Sequence, residues 1–297
     1  MHLKSNAEYW NELLRDGKVF SYVKDGMPES SWQHLVALAY PVTLIVMISI
    51  SLVFMKIIRP SQWKWKTYFF SIFTGTATGG LWCLIMLKSD PAYPGWLFAP
   101  WSATGFEYGL TFEDWLFLPA STTLFYSLHR WLHTRDYSKK IPRRFHEMVI
   151  CFYGLLSLVT LLVAKTAGRM EIIMFIIPGM ILYWYVKDSI NFRKFIYLQL
   201  FVVFFEVFWD LFAVSFLHYI PGLSWASQWT YITFDAAGKC FHSNIFIDHS
   251  TNPRAWILMN PIEITPLFGI CGGLFNATLF TAGDVFFYFK HKRSEKA

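Results

Sequence analysis

The chain has 297 residues, of which 55% are hydrophobic and only 15% charged. A soluble domain carries about 25% charged residues, so the composition is that of an integral membrane protein without a sizeable soluble domain. The formal net charge of +6 sits in short loops and a tail, and does not point to nucleic acid.

Residues 1–34 precede the first apolar run and mix acids with Arg15, Lys18 and Lys24. Within them Tyr9–Phe20 can lie flat as an interfacial amphipathic helix, and the pattern is not that of a cleavable signal peptide. The apolar residues beyond fall in long blocks and predict an all-α protein of seven transmembrane helices. The expected spans are Leu35–Phe54, Tyr68–Leu87, Leu110–Leu128, Met148–Ala164, Ile172–Val186, Phe195–Leu217 and Glu263–Phe289. The fifth is short and contains Pro178; the last is long enough to tilt.

Loop charge orients these spans. The first, third and fifth connections and the tail hold Lys56, Arg59, Lys64 and Lys66; Arg130, Arg135, Lys139, Lys140, Arg143 and Arg144; Lys187, Arg193 and Lys194; and Lys290, Lys292, Arg293 and Lys296. The alternate connections hold few bases. The positive-inside rule therefore predicts a cytoplasmic C-terminus, an N-terminus outside, and residence in the cytoplasmic membrane.

The two halves match. Spans two and three are joined by a loop containing Trp96, Trp101, Gly105 and Gly109 that leads into Glu113; spans six and seven are joined by one containing Trp225, Trp229, Tyr231 and Trp256 that leads into Glu263. Any seven-span chain alternates in direction, but the matched aromatic loop and matched glutamate point further, to a parallel 3+1+3 duplication. The expected division is an interfacial segment 1–34, a first repeat 35–145, a linker helix 146–166, a second repeat 167–290 and a basic tail 291–297.

Chemistry rests on the acids. Glu113 and Asp114 open span three and Glu263 opens span seven. A carboxylate there also suits the positive end of a helix dipole, which is their plain structural role. Phe112, Trp115, Leu116, Phe117, Ile262 and Ile264 surround them with apolar bulk, which favours the neutral acid. Glu206 and Asp210 lie inside span six at i, i+4, on one helix face, with no Lys or Arg in that span. A charged group near hydrocarbon costs about 2.5–3.5 kcal/mol on insertion scales, so such residues usually face the interior of a bundle.

Other chemistries are poorly supplied. Cys83, Cys151, Cys240 and Cys271 form no CxxC pair, and His218, His242, Asp248 and His249 are too scattered for a metal set. His129 and His133 share a face in a basic inner region without a nearby carboxylate, and Lys290 is too close to the inner end to carry a retinal Schiff base. No nucleotide fingerprint occurs, so neither a cofactor nor a metal is expected. The inner halves of the spans are mostly Leu, Ile, Phe and Val, with Ser51, Ser71, Thr74 and Asp284 as exceptions.

Phe112-Glu113-Asp114-Trp115-Leu116-Phe117 and Pro261-Ile262-Glu263, with Asn252, Asp210 and the Trp-rich loops, resemble the membrane-embedded lycopene cyclase domain family in its heterodimeric or fused-repeat form. The resemblance covers roughly residues 35–289; Thr111 stands where that motif has proline, Ile264 where it has a second acid, and span two has Trp82 where span six has Asp210. It implies a redox-neutral carotenoid cyclase in which Glu113 and Glu263 are the acid/base pair and Asp210 and Asp114 support them. The implied partners are a lipophilic polyene substrate, membrane lipids, and either a second copy of the chain or other carotenoid-pathway enzymes. Two alternatives remain open at this point: a cyclase of another prenyl or meroterpenoid chain, and a proton-coupled transporter or receptor using Asp210 and Glu206. The transporter would require a polar stripe through the inner halves.

Overall fold

A computed structural model describes residues 39–58, 60–87, 96–98, 112–134, 143–163, 166–210, 229–234, 240–243 and 261–289. The expected interfacial segment 1–34, the tail 291–297 and residues 211–217 lie outside the described residues. Each of the seven apolar blocks contains a helix: α1 (Ala39–Ile57), α2 (Trp65–Leu87), α3 (Phe112–Thr134), α4 (Arg143–Val163), α5 (Thr166–Glu171) continued through a π turn (Ile172–Ile176) into α6 (Ile177–Val186), α7 (Phe192–Asp210), and α8 (Pro261–Asp284) ending in a second π turn (Val285–Phe289).

The fifth rod is longer than expected. It begins at Thr166 and passes Pro178, because the π turn immediately before that proline widens the backbone ladder where its missing N–H and bulky ring would break an α-helix. The third is also longer, reaching Thr134, so His129, Arg130 and His133 lie on a helix and not in a loop.

Among the described residues four segments are, by length and composition, apolar enough to cross a membrane: Trp65–Ile85, Arg144–Leu162, Arg169–Ser189 and Gly269–Tyr288; Pro41–Ile57 is apolar but shorter. The outward surface matches, with Phe73 77% exposed, Leu162 73% and Phe204 66%. Apolar side chains bared on this scale belong against lipid, not water.

The all-α expectation needs one amendment, a three-stranded antiparallel sheet. β1 (Trp96–Phe98) comes from the α2–α3 connection; β2 (Trp229–Phe234) and β3 (Cys240–Ser243) come from the α7–α8 connection. Trp96 pairs with Tyr231 and Phe98 with Trp229, so the two aromatic connections singled out by sequence are bonded to each other.

Packing follows one pattern twice. α1 and α2 both lie on α3, and α6 and α7 both lie on α8; α2 then crosses to α8, and α7 to α3. Glycines permit the close approaches. On α2, Gly75 faces Thr122 and Gly79 faces Leu118 of α3; on α8, Gly269 lies against the Val203 backbone of α7 and Gly273 against Gln199. Lipid tails are as apolar as leucine, so contact between such helices depends on small residues that let backbones meet. α4 packs on α5 and the π turn.

Candidate functional site

The turns between α1 and α2 and between α6 and α7 are short, and they gather one set of helix ends. Phe145 of α4 stacks edge-on against Phe192 of α7 with centroids 4.0 Å apart. At this end lie Lys56, Lys64, Lys66, Arg130, Arg144, Lys187, Arg193 and Lys194. It also holds an ionic knot. The Asp284 carboxylate accepts from Thr67 Oγ1 at 2.9 Å and from the Arg130 guanidinium at 2.8 Å, and pairs with Lys64 Nζ at 3.0 Å. Arg130 also donates from Nε to the Gln62 carbonyl at 2.8 Å, and a second guanidinium nitrogen reaches the same oxygen. Tyr126 donates to the Lys64 carbonyl at 2.9 Å. Burial pulls the Lys64 ammonium below its ordinary pKa, and the Asp284 carboxylate only partly offsets this.

His129 and His133 lie beside the knot with ring centroids 4.1 Å apart and their planes tilted by 43°, so a carboxylate is near them after all: Asp284 acts electrostatically on His133. The knot joins α2 and α3 to α8 at the basic end.

The opposite end carries the expected acids. Glu113 and Asp114 are in the first turn of α3, Asp210 is the last residue of α7, and Glu263 is in the first turn of α8. Their side chains lie outside the described residues. The turns next to them do meet: Phe117, one turn from Glu113, stacks on Phe205 of α7 at 6.4 Å, and Phe125 stands edge-on to Phe205 at 5.3 Å. Trp115, beside Asp114, lies against Gly80 of α2. Thus α3 and α7 adjoin near the ends that carry Glu113 and Asp210.

An acid outside the expected set lies deeper. Glu171 closes α5 where the π turn begins and is wholly buried, and among the described residues neither of its carboxylate oxygens has a hydrogen-bond partner. Glu206 of α7 is 8% exposed and acts on it electrostatically. Gly269 of α8 fits against Val203 and the Glu206 Cβ, so the acids of α5 and α7 are closed in by α8. Burying an ionised carboxylate without a partner costs many kcal/mol. Arg169 lies two residues away but is exposed. The sequence signal for Glu171 was available: like Glu113 and Glu263, it stands at the head of an apolar block. It stands one residue outside the apolar run that begins at Ile172, so hydropathy alone leaves it out of the span.

Around the acids are aromatic faces. Trp82 of α2 meets Phe175 of the π turn at 6.4 Å, and Phe175 meets Phe275 of α8 at 5.7 Å. The expectation of apolar inner halves also needs correction. Gln199 and Tyr153 are buried, and the fully buried Tyr183 shares a 2.8 Å hydrogen bond with His146 Nδ1. Among the described residues no group of His, Cys, Asp and Glu has the arrangement of a metal site. No family model, curated protein or solved structure matches this chain.

Proposed function

We propose that the chain is a seven-span, internally duplicated membrane enzyme that closes a terminal ring on a linear polyene of the lycopene type by acid/base catalysis. The observation that carries this reading is the wholly buried Glu171 carboxyl group, which has no hydrogen-bond partner among the described residues and lies toward the helix ends that bear Glu113, Asp210 and Glu263. Support for the duplication is the repeated packing of two helices on a third, with reciprocal crossing between halves. The gathering of basic side chains at one end supports a cytoplasmic placement of that end.

In the reaction, a carboxylic acid protonates the terminal double bond and leaves a tertiary cation. An inner double bond attacks that cation and closes a six-membered ring. A carboxylate then takes a proton from the ring, so one proton enters, one leaves, and no electron is exchanged. Glu113 and Glu263 are the acid/base pair, with Asp114 and Asp210 supporting. A cation of this kind must be kept from water and steadied by π faces, and Phe117, Phe125, Phe205 and Trp82 supply such faces near the acids. Carotenoids dissolve in the bilayer, as the exposed apolar belt requires of any partner reaching the site from the side.

Expression in a lycopene-accumulating host, followed by pigment chromatography, tests the reading. Cyclic carotenoid from the wild type and uncyclised lycopene from Glu263→Gln support it; unchanged lycopene in both strains at equal expression removes lycopene as the substrate and leaves another prenyl chain to be tried. The transporter alternative draws on one observation, the burial of Tyr153, Tyr183 and Gln199 on α4, α6 and α7.

A further inference from the structure

We infer that the second half holds an acidic phospholipid at its basic end, with Arg144, Lys187 and Arg193 around the phosphate and an acyl chain along the outer face of the fifth rod. Three short contacts bring the helix ends together there. His146, in the first turns of α4, shares a 2.8 Å hydrogen bond with the Tyr183 hydroxyl near the end of α6. Phe145 of α4 meets Phe192 of α7 edge-on at 4.0 Å, and Tyr183 meets Phe195 of α7 at 5.9 Å. A base stands beside each anchor. Arg144 precedes Phe145, Arg193 follows Phe192, and Lys187 comes one helical turn after Tyr183. Arg144 and Arg193 are exposed, and Lys187 is half-buried. The acids described at these ends, Glu147 and Asp188, are also exposed, and the three bases together with Lys194 outnumber them.

The apolar stripe that leads away from Lys187 separates this place from a merely solvated basic surface. Lys187 Nζ lies over the Trp184 ring, 3.6 Å from its centroid. Trp184 is 62% exposed, and the exposed Ile181, Ile177 and Ile173 continue its face at helical spacing. From Ile173 to Trp184 the stripe rises about 16 Å at 1.5 Å per residue, close to one leaflet of a hydrocarbon core about 30 Å thick. α4 and α7 repeat the pattern. Arg144 heads the exposed Met148, Phe152 and Leu155, and Arg193 heads the exposed Tyr197, Leu200 and Phe204. Trp184, Tyr185 and Tyr197, all bared at this end, are residue types that settle at the membrane interface. The bases therefore stand at headgroup depth and the stripes at the depth of the tails. Guanidinium groups bind phosphate through paired N–H donors, and a lysine over an indole keeps its charge. A free phosphate would use the bases alone; a molecule that uses bases and stripe together is a lipid with an anionic headgroup.

The lipid site is independent of what substrate the protein takes, and its test uses no polyene. Delipidated full-length protein in neutral detergent is titrated with phosphatidylglycerol, phosphatidylcholine or glycerophosphate, and the bound species are counted by native mass spectrometry. Phosphatidylglycerol should bind saturably, more tightly than phosphatidylcholine, and more weakly as salt is raised. Glycerophosphate, which lacks the acyl chains, should not displace it. A base beside an anionic lipid surface contributes a factor of about five. Lys187→Gln should therefore weaken phosphatidylglycerol about fivefold, and the combined Arg144→Gln, Lys187→Gln and Arg193→Gln variant about a hundredfold. Lys66→Gln removes the same charge from an exposed residue at the start of α2 and should leave the affinity unchanged. Equal binding of the two phospholipids, a loss in Lys66→Gln that matches Lys187→Gln, or displacement by glycerophosphate would overturn the site.

Discussion

Asp284→Asn breaks the ionic knot without changing side-chain shape. Asp284 is 4% exposed and Arg130 5%, and the carboxylate accepts from Thr67 and Arg130 while pairing with Lys64. An asparagine keeps an oxygen for Thr67 but presents no charge to either base. Arg130 is then left buried with the Gln62 carbonyl as its acceptor. Lys64, whose side chain is 18% exposed, can turn toward water, so most of the cost falls on Arg130. Removing one partner of a buried pair costs about 3–5 kcal/mol, against a total stability of about 5–15 kcal/mol. At about 2 °C per kcal/mol for a large domain, the melting temperature should fall by roughly 6–10 °C. The assay is thermal unfolding in detergent followed by size-exclusion fluorescence. Arg130→Met combined with Asp284→Leu, which removes both charges, should recover most of the loss. A single-variant shift below about 2 °C, or a double variant no better than the single, would refute the claim that the knot ties α2 and α3 to α8.

Other outcomes follow from the same geometry. Gly269→Ala places a Cβ 2.8 Å from the Val203 Cα, a backbone atom that cannot swing away, and should lower stability by about 1–3 kcal/mol in the same unfolding assay. Gly154→Ala, where a Cβ meets nothing within 4 Å, should be neutral. Glu263→Gln should abolish cyclisation while the protein remains monodisperse and membrane-inserted; wild-type turnover would reduce Glu263 to a helix-capping residue. Purified protein should need no added nicotinamide, flavin or metal, and turnover should fall at high pH as the acid loses its proton. An absolute requirement for reduced flavin, measured by turnover with and without it, would contradict proton-initiated closure.

The helices were legible because long apolar blocks leave the chain little choice in lipid, where every backbone group must be bonded internally. Their ends were less so. Beyond Leu128, Arg130 and the two histidines look like loop residues, and the distant Asp284, together with the Gln62 carbonyl, makes a buried arginine tolerable on that helix. The partnership spans 154 residues of sequence, beyond any local pattern. Likewise Pro178 read as a weakness in the fifth span, whereas the π turn absorbs it and carries the rod back to Glu171. Tyr153, Gln199 and Tyr183 drew no notice because a tyrosine or glutamine in an aromatic-rich span looks like packing until its neighbours are known. The small sheet is hidden for a similar reason: the two aromatic connections match in composition, but nothing local says that Trp96 pairs with Tyr231.

The most direct test of the central claim is cyclisation by the purified protein in liposomes loaded with lycopene and suspended in D2O, read by mass spectrometry of the product. Ring closure begun by a protein acid in exchange with solvent leaves one deuteron in each ring formed and releases one substrate proton, so the account predicts a cyclic carotenoid carrying one deuterium per ring. Cyclic product without deuterium, or no cyclic product from folded protein, would contradict it.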